Sequence, residues 1–170
     1  MSKQPMCAVV IGGGIMGADI STVFVSGGWQ TDIVEPSPTT RAALPAKLAD
    51  GISRLGAKVD SSNAGIYATI NEIRWDDVDI VVECVTEELA LKQKIFAELE
   101  QVAPVTIPLT SNSSSYPISR IGAGLKTQSR MMGLHFFMPA HIVPLVEIVR
   151  SLHTDVALAR RVGEWMRILG

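Results

Sequence analysis

Apolar residues in this chain come in short unbroken runs separated by polar turns and by longer stretches of helical period. Cys7–Ile11 is the first run and reads as a strand buried on both faces. Gln30–Glu35, Ile66–Ile73, Val78–Cys84, Val105–Thr110, Arg130–His135 and Leu145–Val149 read as further strands. Between them lie helical patterns. Ile15–Ser26 ends on Gly27-Gly28, and a second helix covers roughly Thr39–Leu55, opened by Ser37 although Pro45 and Gly51 count against it. Leu89–Val102 places Leu91, Ile95, Leu99 and Val102 on one face, Pro117–Ala123 is a short helix, and Asp155–Leu169 closes the chain with Thr154 as its N-cap. Lys58–Gly65 and Ser111–Ser115 read as loops. Strand–helix–strand alternation predicts an α/β fold, a doubly wound and mostly parallel sheet with helices on both faces.

The first turn sharpens this. Gly12-x-Gly14-x-x-Gly17 stands between a strand and a helix, and Glu35 ends the next strand 18 positions after the last glycine. A Rossmann-type dinucleotide-binding unit requires that layout. Gly12 lets the chain turn sharply, Gly14 lets the backbone approach a pyrophosphate, and Gly17 lets the helix pack on the strand. Ile15 and Met16 open the helix whose free N–H groups face the phosphates. Glu35 is placed to accept from the adenosine ribose hydroxyls and to repel a 2′-phosphate, which selects NAD over NADP. Arg41 is the nearest cation to it. FAD uses the same fingerprint and stays open as the alternative cofactor.

Composition narrows the class. With 170 residues, 47 % of them hydrophobic, the chain suits one domain, 1–170. Fifteen basic and 17 acidic residues, in no basic patch, argue against a nucleic-acid partner. Cys7 and Cys84 fall in predicted buried strands and read as small core residues, and no spacing suggests a metal site. A short polar start and the lack of any long apolar run predict no signal peptide, no membrane partner and a cytoplasmic location. The last pattern runs to Gly170 with no strand behind it, so the chain is expected to be the first domain of a longer protein or a trimmed piece of one.

A cofactor fold does not name a reaction; polar residues at the carboxyl ends of the strands do. Ser111-Asn112-Ser113-Ser114-Ser115 is either a solvated turn or a set of donors facing the reacting oxygen. His135 ends one strand, and Glu147 lies inside the apolar run Leu145–Val149. A buried carboxylate needs a partner, and a histidine provides one: the carboxylate fixes the tautomer, and the imidazole takes a hydroxyl proton while a nicotinamide takes hydride. His141 reads as an exposed rim residue.

Four segments in this order resemble the L-3-hydroxyacyl-CoA dehydrogenases: Gly12–Gly17, Val82-Glu83-Cys84-Val85-Thr86-Glu87-Glu88-Leu89-Ala90-Leu91-Lys92, Thr110–Ser115, and Gly133-Leu134-His135-Phe136-Phe137-Met138-Pro139 with Leu145-Val146-Glu147 after it. The resemblance covers nearly the whole chain and corresponds to that family's NAD-binding domain. It implies NAD-dependent oxidation of an L-3-hydroxyacyl-CoA, with His135 as base, Glu147 as its orienting partner and Ser114 bonding the substrate oxygen. It implies Glu87 and Lys92 as a cofactor-side pair, Asn112 near the nicotinamide end and Glu35 as the ribose acid. It also implies a homodimer built by a helical C-terminal domain that this chain lacks. Three departures bear on substrate. Met138 stands where the family has Asn, either as a lost donor or as a core filler, and Pro139–Pro144 replaces the family's own pattern, with Ile142-Val143-Pro144-Leu145-Val146-Glu147 looking more like relatives that oxidise free hydroxy acids, such as gulonate or carnitine dehydrogenases and the lambda-crystallins. The stretch Leu44–Ile70 is short for the helical hairpin of acyl-CoA members. Oxidation of a non-CoA hydroxy acid, or non-catalytic NAD binding, are the alternative readings.

Overall fold

The computed structural model describes residues 5–57, 59 and 61–170. Seven strands form one sheet: β1 (Cys7–Ile11), β2 (Gln30–Val34), β3 (Ala64–Tyr67), β4 (Ile80–Glu83), β5 (Leu109–Ser111), β6 (Met131–Phe136) and β7 (Val146–Arg150), in the spatial order β3-β2-β1-β4-β5-β6-β7. Every neighbouring pair is parallel except β6 and β7. The order reverses at β1, so β1 and β4 flank the switch point where such sheets bind ligands.

Alternation along buried strands sends side chains to two cores. Val9, Val81, Leu109 and Met131 face one side, where Phe96 and Leu99 of α3 (Leu89–Val102) and Ile118 and Ile121 of α4 (Ile118–Ile121) cover them. Val10, Val82, Met132 and Leu134 face the other, under Ile20 and Phe24 of α1 (Ile15–Ser26) and Val162 of α5 (Val156–Leu169). On that second side Leu44 and Leu48 of α2 (Pro38–Arg54) close over Ile33.

β1, α1 and α3 lie where the pattern places them; other boundaries shift. β3 begins at Ala64, inside the expected loop Lys58–Gly65, of which Lys58 and Asp60 lie outside the described residues. β5 starts only at Leu109, because Val105 is exposed and Pro108 precedes the ladder. α2 runs through Pro45 and Gly51: Pro45 faces solvent, and at Gly51 a Cβ would meet Thr22 Oγ1 of α1 at 2.8 Å, so glycine lets the two helices touch. The expected α3 face packs on the core at Leu99, buried, and at Ile95 and Val102, half-buried; Lys92 and Phe96 are buried beside it, and Leu91 is half-buried outside that cluster. Thr154 is not the cap of α5. The Asp155 carboxylate accepts from Leu158 N at 2.8 Å, whereas the Thr154 hydroxyl donates to Met131 O at 2.7 Å and ties the helix entrance to β6.

Candidate active site

The glycine turn has the geometry the motif needs. Gly12 adopts φ +99°, and a Cβ there would meet Cys84 O at 2.9 Å. At Gly17 a Cβ would lie 1.7 Å from Gly12 O, while at Gly14 it would meet nothing within 4 Å. Two glycines are thus required by the protein itself, and the third leaves open space in front of α1. That helix starts at Ile15 with no side-chain cap and no acidic residue in its first turn, which leaves its N–H groups and positive dipole end unneutralised.

A groove of about 610 Å³ runs across this turn. One wall carries Glu35, Pro36 and Thr40, the other Cys84, Val85 and Thr86. Glu35 lies just past β2, its carboxylate accepting from Gly13 N at 2.8 Å and Ser37 N at 2.8 Å. It therefore braces the glycine turn as well as standing at the groove. Arg41 donates to Glu35 O at 2.8 Å, with its charge turned to the backbone carbonyl. Burial, Asp32 and its neighbouring carboxylates push the Cys7 thiol up to about 12, and burial with Glu83 raises Cys84. Cys84 itself lies one residue past β4, half-buried, and not inside the strand.

At the carboxyl ends of β4, β5 and β6 the polar residues meet. His135 and Glu147 are direct partners across the antiparallel pair, with His135 Nδ1 3.1 Å from Glu147 Oε2. This leaves Nε2 for proton transfer, and the imidazole also lies against the Phe137 ring, centroids 4.7 Å apart and planes tilted by 51°. The expectation that Glu147 is buried fails: its side chain is 56 % exposed on an edge strand, against 22 % for His135. Strand register makes the pair, and desolvation does not. Ser111, Ser113, Ser114 and Ser115 share a cavity of about 250 Å³ with His135 and Glu147, and Ser114 is exposed at its wall.

Asn112 is tied to β6 through its acceptor atom. Its side-chain oxygen accepts from Phe136 N at 2.8 Å, fixing the residue after His135. Glu87 accepts from the Ser113 hydroxyl, and from Ser115 N at 3.1 Å, and it lies 3.1 Å from Lys92 Nζ. Burial raises its carboxyl, but these donors outweigh it and hold Glu87 below the usual carboxylate range. His141 is not a rim residue: its side chain is 9 % exposed and packs against α1, with Nδ1 3.3 Å from Asp19 Oδ1. Met138 is no core filler, being 63 % exposed.

Sequence reasoning missed Glu83. It ends β4 fully buried, 2.8 Å from Lys92 Nζ, and accepts from Ser111 Oγ at 2.6 Å and Val85 N at 2.7 Å. A charged residue closing the run Ile80–Glu83 was the available signal, because a buried carboxylate demands a cation, and Lys92 sits nine residues on.

Comparison with known proteins gives concordant matches. The family model described as "3-hydroxyacyl-CoA dehydrogenase, NAD binding domain" matches residues 7–170. A 3-hydroxybutyryl-CoA dehydrogenase of Mycobacterium tuberculosis is 36 % identical over 166 residues, 92 % of this chain and 57 % of that protein. A glyoxysomal fatty acid beta-oxidation multifunctional protein of Cucumis sativus is 35 % identical over 160 residues, 89 % of this chain and 22 % of that protein. The crystal structure of an Escherichia coli 3-hydroxybutyryl-CoA dehydrogenase superposes with a TM-score of 0.88 at 30 % identity, covering 99 % of this chain and 37 % of that one. The chain thus spans between about a fifth and rather more than half of these relatives.

Proposed function

The chain belongs to the 3-hydroxyacyl-CoA dehydrogenase NAD-binding-domain family, and on that premise we propose that it is the cofactor-binding part of an enzyme oxidising the 3-hydroxyl of an L-3-hydroxyacyl-CoA. The observation that carries the chemistry is the His135 Nδ1–Glu147 Oε2 contact of 3.1 Å beside the serine loop. NAD, the cofactor of this family, fits the glycine turn as found: Gly14 offers open space and α1 an uncapped N-terminus. When bound, it supplies the hydride acceptor. Gly12–Gly17 and Glu35 hold it, with Glu87 and Asn112 acting on the loops around the nicotinamide end.

The chain's own residues manage the proton. Glu147 accepts from His135 Nδ1–H, fixes that tautomer and stabilises the imidazolium once it forms. His135 Nε2 then takes the hydroxyl proton as general base, a role worth typically 10²–10⁴-fold in rate. Ser114 donates to the same oxygen as its charge develops. A helical domain supplied by further chain would close over the substrate and form a homodimer, as the family resemblance implies.

A second reading keeps the chemistry and changes the substrate to a free hydroxy acid. Met138 favours it, since an exposed thioether follows His135-Phe136-Phe137 where the acyl-CoA pattern has an amide donor. NADH consumption with acetoacetyl-CoA, measured beside a free 3-oxo acid at equal concentration, separates the two. Preference for the thioester is expected; preference for the free acid overturns the acyl-CoA reading.

A further inference from the structure

One carboxylate lies at the root of both the cofactor groove and the catalytic cavity. Glu83 is fully buried, and its two oxygens serve different walls. Oε1 accepts from Val85 N at 2.7 Å and pairs with Lys92 Nζ at 2.8 Å, while Lys92 donates to Val85 O at 3.3 Å. Val85, a lining residue of the groove, is therefore held at both its N–H and its carbonyl by one ion pair. Oε2 accepts from Ser111 Oγ at 2.6 Å, and that hydroxyl accepts in turn from Ser113 N at 3.2 Å. The serine loop is so fixed at its base.

Lys92 has the complementary geometry. Its side chain is 1 % exposed, and its three N–H donors are matched by Glu83 at 2.8 Å, Glu87 at 3.1 Å and Val85 O at 3.3 Å. Lys92 thereby ties Glu83 to Glu87 and to the Val85 carbonyl. The distal end of the chain of contacts is Glu87, 37 % exposed, which holds Ser113 and Ser115.

We propose that Glu83 is a positioning residue: its carboxylate, through Lys92 and Ser111, sets the Val85–Thr86 wall of the cofactor groove and the serine loop beside His135 as one unit. Replacing the carboxylate with an amide leaves Lys92 paired to Glu87 alone and reverses one of the two accepting oxygens into a donor. The groove wall and the loop then lose their common anchor together.

Only the role of the serine loop rests on the dehydrogenase reading; the cofactor effect does not. Fluorescence titration of NADH on the protein as encoded tests it, with Kd and binding stoichiometry read separately. Glu83→Gln should raise Kd about tenfold at full stoichiometry. A purely structural role lowers the stoichiometry, through loss of folded molecules, and leaves Kd at the parent value. Should the single variant fail to fold, Glu83→Gln/Lys92→Met decides, because removing both members of a buried ion pair avoids an uncompensated charge. It too should bind with full stoichiometry and a Kd raised about tenfold. A parent Kd in either folded variant overturns the proposal. If the full gene product binds NADH but turns over no 3-oxoacyl thioester, the dehydrogenase reading fails while the Glu83 result stands.

Discussion

The three glycines of the first turn should separate cleanly under substitution by alanine. At Gly17 the new Cβ would lie 1.7 Å from Gly12 O, so the backbone must retreat by roughly 1.3 Å to reach the 3.0 Å that real contacts respect. Neither atom is the free end of a side chain, and Gly12 is itself held by its N–H to Val34 O at 2.8 Å. The cost belongs at the top of the overpacking range, about 3 kcal/mol. For a chain of this size that lowers Tm by roughly 6–12 °C. At Gly14 the new Cβ meets nothing within 4 Å, and φ of −63° lies outside the left-handed region. Only the weak preference at an N-cap is lost, below about 1 kcal/mol, so Tm should stay within ~4 °C of the parent. The methyl nevertheless enters the space in front of α1, and NADH Kd should rise at least about tenfold, since a pyrophosphate needs close backbone approach there. Thermal melts with and without saturating NADH, plus a fluorescence titration, read both quantities. Parent-like NADH binding by Gly14→Ala would place the pyrophosphate elsewhere. A parent Tm for Gly17→Ala would refute the contact argument.

Glu35→Ala should weaken NAD and relax the bias against NADP in paired titrations. It should also lower Tm, because Gly13 N and Ser37 N lose their acceptor, at about 1–3 kcal/mol if left unsatisfied. His135→Gln should retain NADH affinity while oxidation falls by roughly 10²–10⁴-fold, and parent-rate oxidation rules out His135 as the base. Glu87 has a lowered folded value, so its contribution is fully present above its ordinary 4.5 and fades as pH falls through the folded value. Tm followed from pH 6 downward should therefore fall less steeply below about 4.5 in Glu87→Gln than in the parent, and identical slopes count against the Ser113 and Ser115 contacts.

Local pattern carried much of this fold. β1, α1 and α3 were legible because each is a run of one periodicity bounded by glycine, proline or a charged turn. The misses are places where tertiary contacts decide. Pro108 and an exposed Val105 shorten β5, and whether apolar residues join a ladder depends on the neighbouring strand rather than on their own propensity. Thr154 and Asp155 both suit an N-cap, and Thr154 is drawn away by a carbonyl of β6, 23 residues distant in sequence. His141 looked like a rim residue because nothing local shows that Asp19 of α1 faces it. Local pattern gives Glu83 no role, since its partners Lys92, Val85 and Ser111 come together only when β4, α3 and β5 share one end of the sheet.

The reversal of the last strand is what brings His135 and Glu147 together. Because β7 runs antiparallel to β6, Glu147 stands directly opposite His135, and Gly133 opposite Val149, on the face that lines the serine cavity. The alternate pairs, Leu134 with Ile148 and Phe136 with Val146, face the core under α1 and α5. At Gly133 a Cβ would approach Val149 Cβ to 3.0 Å, so the cavity face stays narrow there. Slipping β7 by one residue would turn Ile148 and Val146 to the cavity and Glu147 into the core. Burial of large apolar side chains such as these contributes about 1.5–3 kcal/mol each when complete, and a carboxylate buried without a partner adds a further penalty. The apolar residues of β7 thus set the register, and the register puts the carboxylate on His135 Nδ1. A Glu147 side chain that is more than half exposed still meets its histidine, because the strand on which it stands has no other way to lie.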